Sequence, residues 1–103
     1  MVQKLYAIYD SKASFFLSPW LSRAPGIAER EFGVACHNPE SSLGKFPVDF
    51  VLYEIGEYND ADAVIKSFTP PLRLCDGREA LQKCRLAENS AEARAILSGE
   101  EAK

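Results

Sequence analysis

The stretch Phe50-Val-Leu-Tyr-Glu-Ile-Gly-Glu-Tyr58 decides the reading of this chain. Its first half alternates and is rich in β-branched and aromatic residues, which marks a strand. Gly56 loosens that strand and Asn59-Asp60 turn it, so a hairpin is expected to follow. Far upstream, Tyr9-Asp-Ser-Lys-Ala13 ends one strand and turns the chain toward another. The two segments together place aromatic side chains on a small sheet. That sheet is the working surface the sequence offers.

Val2 to Asp10 reads as the first strand, with Leu5, Ala7 and Tyr9 on one face and Lys4, Tyr6 and Ile8 on the other. Apolar groups on both faces predict a central position. Ser14 to Trp20 reads as a second strand, and Pro19, which lacks an N–H, marks an edge or a bulge there. Pro25 suits the first turn of a helix. From it, Ile27, Ala28, Glu31, Phe32, Ala35 and Cys36 follow the three-four spacing of one apolar stripe. This helix, over 25–37, should stop near Asn38, because Pro39 disfavours the α conformation before it. Residues 38–49 read as a polar loop, Asp49 to Glu57 as strand three and Ala63 to Phe68 as strand four, with Pro70-Pro71 ending the sheet.

Asp76-Gly-Arg-Glu79 has the spacing of a capping box, worth about 1 kcal/mol to a helix that starts there. Ala80, Leu81, Cys84 and Ala87 form its narrow stripe, and Asn89-Ser-Ala-Glu92 can cap again. Beyond Ile96 and Leu97 little remains to bury, so Gly99 to Lys103 should fray. The expected fold is α+β: a small antiparallel β-sheet in β-β-α-β-β order, one helix packed on a face, and a C-terminal helical extension. A core domain would span 1–75 and the extension 76–103. Exposed sheet edges invite a homodimer.

A chain of 103 residues makes one domain, and 47% apolar with 26% charged residues fits a globular protein rather than a disordered one. No apolar run approaches the ~20 residues that span a bilayer, so no membrane role is expected. Met1-Val-Gln-Lys-Leu lacks a secretory pattern, and the cytoplasm is the expected compartment. Cys36, Cys75 and Cys84 are odd in number and lack metal-ligand spacing, so they read as free thiols with no metal or other cofactor. The formal net charge is −3, spread unevenly: residues 1–30 carry four basic and two acidic groups, whereas 31–60 carry one and six. Attraction to nucleic acid therefore needs a local patch.

Candidate chemistry is sparse. Cys36-His37 are adjacent on a helix and point about 100° apart, so the imidazole does not face the thiol. Glu54 and Glu57 differ by an odd offset and share a face only if a bulge forms at Gly56. No phosphate loop, catalytic triad or small-molecule site is visible, so no enzyme is expected. The N-terminal third is more suggestive, with aromatics among cations. Tyr6, Tyr9 and Trp20 are the candidates for stacking nucleobases, and Lys4, Lys12, Arg23 and Arg30 for contacting phosphates. In strands, however, tyrosine and phenylalanine most often serve the core. Arg73, Arg78, Lys83 and Arg85 form a second basic group that could equally be a solvated helix face.

Leu5-Tyr-Ala-Ile-Tyr-Asp-Ser-Lys-Ala13, Pro19-Trp20, the helix with Ala28, Arg30 and Phe32, Asn38-Pro-Glu-Ser41, and Lys45-Phe-Pro-Val-Asp-Phe-Val-Leu-Tyr-Glu-Ile-Gly-Glu-Tyr58 occur in a characteristic order. Over residues 4–80 the chain resembles the small non-structural proteins of gokushovirus-type microviruses, phages with single-stranded DNA genomes, to which DNA binding is attributed. Members often carry histidine where Phe46 stands and end soon after residue 80. The resemblance implies a phage accessory protein of the host bacterial cytoplasm, absent from the capsid. It would bind viral DNA at the switch from duplex replication to single-strand production. Single-stranded DNA is thus the expected partner. Four neutralised phosphates would give a logarithmic salt slope of roughly −3. The alternative is a module that binds a host or viral protein through a sheet edge or the C-terminal helix.

Overall fold

The alternation of β1, Val2–Asp10, is realised as a central strand paired along its whole length to β4, Phe50–Asn59, in antiparallel register. A computed structural model describes residues 1–84. On the other edge of β1 lie two short strands, β2 (Phe15–Phe16) and β3 (Trp20–Ser22), where one strand over 14–20 is expected from sequence. The break spans Leu17 to Pro19, and Pro19 has no N–H to donate to a ladder there. β5, Val64–Asp76, closes the sheet on the far side of β4.

Strand β5 runs straight through Pro70-Pro71, which do not end the sheet as the sequence suggests. It is an edge strand, where a missing donor costs no second ladder. Register slips on both sides of β4 absorb the irregularity. One of them leaves Ile55 as an extra residue beside Gly56, so Glu54 and Glu57 both fall on the Lys4 side of the sheet. The bulge that would unite those two carboxylates therefore exists. A Cβ at Gly56 would collide with the Lys66 carbonyl, so the close approach of β4 and β5 requires glycine.

Helix α1, Pro25–Cys36, starts with proline in its first turn and ends at His37, before Asn38-Pro39. Its stripe Ala28, Phe32 and Cys36 is buried against Tyr6 and Ile8 of β1, Phe50 and Leu52 of β4, and Cys75 of β5. Full burial of Phe32 alone contributes roughly 1.5–3 kcal/mol. The 38–49 segment is more ordered than a loop: α2 covers Ser42–Lys45 and a 3₁₀ turn covers Pro47–Asp49. Ser41 caps α2 by accepting from the Gly44 N–H at 3.0 Å.

The capping box forms as its spacing predicts. The Glu79 N–H donates to the Asp76 carboxylate at 2.8 Å, and the Asp76 N–H donates to the Glu79 carboxylate at 2.8 Å. It opens α3, helical over 77–84, whose Ala80 joins the core. The expected features at Arg85, Ala87, Asn89–Glu92, Ile96, Leu97 and Gly99–Lys103 lie outside the described residues. The result is an α+β fold, an antiparallel sheet with its helices packed on one face.

Candidate nucleic-acid interface

Because α1 and α3 pack on the Tyr6 side, the odd-numbered residues of β1 point the other way. Direct cross-strand partners share a face, so the register builds two rows there. One runs Phe16, Tyr9, Val51, Asp76 across β2, β1, β4 and β5. The next runs Ala7, Tyr53, Arg73. Among the described residues no helix covers this face. Tyr9 and Phe16 have ring centroids 4.8 Å apart, Phe16 and Tyr53 5.5 Å, and Tyr9 and Tyr53 6.4 Å. Tyr53 meets Phe16 and Tyr9 edge to face, at 72° and 90°, and the planes of Tyr9 and Phe16 are tilted by 54°, so the three rings brace one another. Phe16 keeps 44% of its surface, and Tyr9 and Tyr53 are half-buried.

The residues expected to form the site separate between two faces. Tyr9 belongs to the open cluster. Tyr6 does not: it has no accessible surface, and its hydroxyl, 3.4 Å from Glu54, is pushed up to about 12 by burial and by that carboxylate. A ring with no exposed face cannot stack a base. Trp20 is half-buried on the same side as Tyr6, 6.1 Å from its ring, and donates its indole N–H to Glu31 at 3.0 Å. It acts as a strut between β3 and α1 rather than as an open shelf.

The cations divide as well. Lys4 donates to Glu57 at 2.7 Å and lies 3.7 Å from the buried Glu54. Those contacts raise its pKa and lower that of Glu57, so Lys4 serves the carboxylates of β4 instead of a phosphate. Arg30 is exposed on α1, where it lines a groove with Glu29, Ala80 and Lys83 in the helical layer. It is therefore remote from the open face. Lys12 is exposed in the turn joining β1 to β2, and Arg23 is exposed where β3 leads into α1. Neither forms an ion pair among the described residues. In the second basic group, Lys83 is held by Glu29 at 2.8 Å and Arg73 by Glu79 at 3.0 Å.

Sequence alternation does not single out Phe16 and Tyr53. Tyr53 reads as one ring of a strand, and Phe15-Phe16 is a repeat in which two neighbours point to opposite faces. The usable signal was the odd offset between Tyr6 and Tyr9, which places them on different faces. Elsewhere the chemistry is quiet. Cys36 and Cys75 are buried free thiols, pushed up to about 11 by burial, hence protonated and poorly nucleophilic at neutral pH. Among the described residues no group of His, Cys, Asp and Glu could hold a metal ion.

The family model described as Phage ORF5 protein matches residues 3–80, a span that holds β1 from its second residue, β2 to β5, α1, α2 and the first turn of α3. The chain belongs to the Phage ORF5 protein family. No match was found among curated proteins or among solved structures. Among the described residues no helix is long and apolar enough to cross a membrane.

Proposed function

We propose that this phage protein is a non-enzymatic accessory factor of the host bacterial cytoplasm that binds single-stranded DNA on its open sheet face. The carrying observation is the cluster of Tyr9, Phe16 and Tyr53 on the side of the sheet away from both helices. Half-exposed rings fixed on strands offer flat apolar surface at little entropic cost, and each stacked base contributes about 1–3 kcal/mol. Aromatics on a sheet face serve single-stranded recognition in other sheet folds. The resemblance to microvirus proteins supports a single-stranded genome as the ligand and the onset of single-strand synthesis as the occasion.

The cation count revises the electrostatics. With Lys4 committed to Glu57 and Arg30 in the helical layer, Lys12 and Arg23 remain as phosphate contacts. Two neutralised phosphates give a logarithmic salt slope of about −1.4, half that expected from four. Fluorescence anisotropy of a labelled thymidine oligonucleotide at low salt tests the reading. Tyr53→Ala should weaken binding by about 1–3 kcal/mol, whereas Trp20→Phe should leave it unchanged. Equal loss from both, or no binding at ~10 µM, would remove the open face as the site.

A second reading rests on β5. This edge strand is 13 residues long and exposes Val64, Ile65 and Leu72, a surface suited to pairing with a strand of a host or viral protein or of a second copy. Capture of a defined partner that is lost in Ile65→Lys, with oligonucleotide binding absent, would favour this reading.

A further inference from the structure

Arg73 sits beside the ring cluster in a setting shared, among the described residues, by no other cation of the open face. Its partner across the β4–β5 ladder is Tyr53, so both side chains leave the sheet on the side of Tyr9 and Phe16. The slip that leaves Leu74 unpaired brings Asp76 onto that side as well, as the partner of Val51. The Arg73 Nη2 donates to Glu79 Oε1 at 3.0 Å and lies 3.9 Å from Asp76 Oδ2. Glu79 is itself fixed by the Asp76 N–H, so the cap of α3 tethers the guanidinium from one side. The arginine side chain nonetheless keeps 51% of its surface.

A guanidinium carries five N–H donors in a rigid plane, and the hydrogen bond to Glu79 uses one of the two on Nη2. The second Nη2 donor and the donor beside it on the neighbouring nitrogen are left as a two-donor edge, whose direction the tether fixes. Two carboxylates offset the positive charge, which weakens the group as a phosphate clamp but does not alter its geometry. A neutral ligand with two adjacent acceptors suits such a fork better than an anion does. Guanine presents that pair at O6 and N7 and unpaired cytosine at O2 and N3, whereas adenine places an amino donor beside its N7 and thymine separates its two carbonyls by N3–H. Of the two bases that fit, the purine offers the larger face to stack on Tyr53. In a single strand this edge is accessible while the base face is stacked.

We infer that Arg73, positioned by Glu79 and Asp76, reads the O6/N7 edge of a guanine stacked at Tyr53, which gives the open face a preference for guanine. The inference rests on the single-stranded-DNA reading above and adds specificity to it. Anisotropy titrations would compare a labelled thymidine oligonucleotide with the same strand carrying one central guanine. The guanine strand should bind about tenfold more tightly, the range of one bidentate arginine–guanine contact. Replacing the guanine with 7-deazaguanine, which lacks the N7 acceptor, should remove most of that gain without any change to the protein. Arg73→Lys keeps the charge and loses the fork, so the two strands should then bind alike. Equal binding of both strands by the natural protein overturns the inference and leaves the stacking reading standing. A guanine gain that survives in Arg73→Lys overturns it too, and failure of both strands to bind overturns both.

Discussion

Tyr6 and Tyr9 lie three residues apart on one strand and meet opposite fates. Tyr6 has no accessible surface and shares Glu54 with Lys4, whereas Tyr9 braces Phe16 and Tyr53 on the open side. Local strain sits at Ala63, which closes the β4–β5 hairpin at φ 62°. In that region a Cβ crowds the following carbonyl at a cost of about 1–2 kcal/mol. Asn59 and Asp62 fix the turn by accepting from the Ala61 and Val64 N–H groups. Ala63→Gly should therefore raise stability by roughly 0.5–1 kcal/mol, once glycine's extra unfolded freedom is subtracted. A lower urea midpoint for that variant would contradict the account of the turn. At this scale the sequence reveals that Tyr6 and Tyr9 face opposite ways. It does not reveal which face the helix covers, because Ile8 and Ala7 are both apolar. That is why Tyr6 and Trp20 look like stacking residues until the packing is known.

Among the elements, α1 and the capping box were legible because their signals are local: proline at the start, one apolar stripe, and acidic residues at the required spacing. The course of β5 through Pro70-Pro71 was not legible, since only a strand's edge position excuses its prolines. Contact between α1 and α3 depends on Gly33. A Cβ there would collide with the Cys84 sulfur and approach the Ala80 carbonyl to 3.1 Å. Gly33→Val should thus cost about 1–3 kcal/mol by overpacking, read as a drop in thermal or urea midpoint. An unchanged midpoint would mean that α3 does not lie against α1 in solution. Since α3 begins at the cap that tethers Arg73, the same variant links helix docking to the sheet face.

For the whole molecule, burial sets the response to alkali. Burial pushes the Tyr6 hydroxyl up from 10.0 to about 12, and the Cys36 and Cys75 thiols up from 9.0 to about 11. The unfolded chain releases these protons first, so the folded state binds more of them between the two values. The contribution is fully present below pH 9.0 and is lost as pH rises through about 11 to 12. Urea unfolding at about pH 8 and about pH 10.5 should show a clear fall in midpoint at the higher value. A flat profile would mean that these groups are solvated. Charge also explains why net −3 does not forbid the proposed ligand: much of the acidity is spent on Lys4, Arg73, Lys83 and the N-terminus.

Photo-crosslinking of a thymidine oligonucleotide to the protein, with the attached peptides mapped by mass spectrometry, tests the open face most directly. The predicted adducts fall on the β1, β2 and β4 peptides that carry Tyr9, Phe16 and Tyr53. Adducts confined to α1, at Arg30 and its neighbours, or localised by fragmentation to Trp20 rather than to Phe16 on the peptide they share, would contradict it.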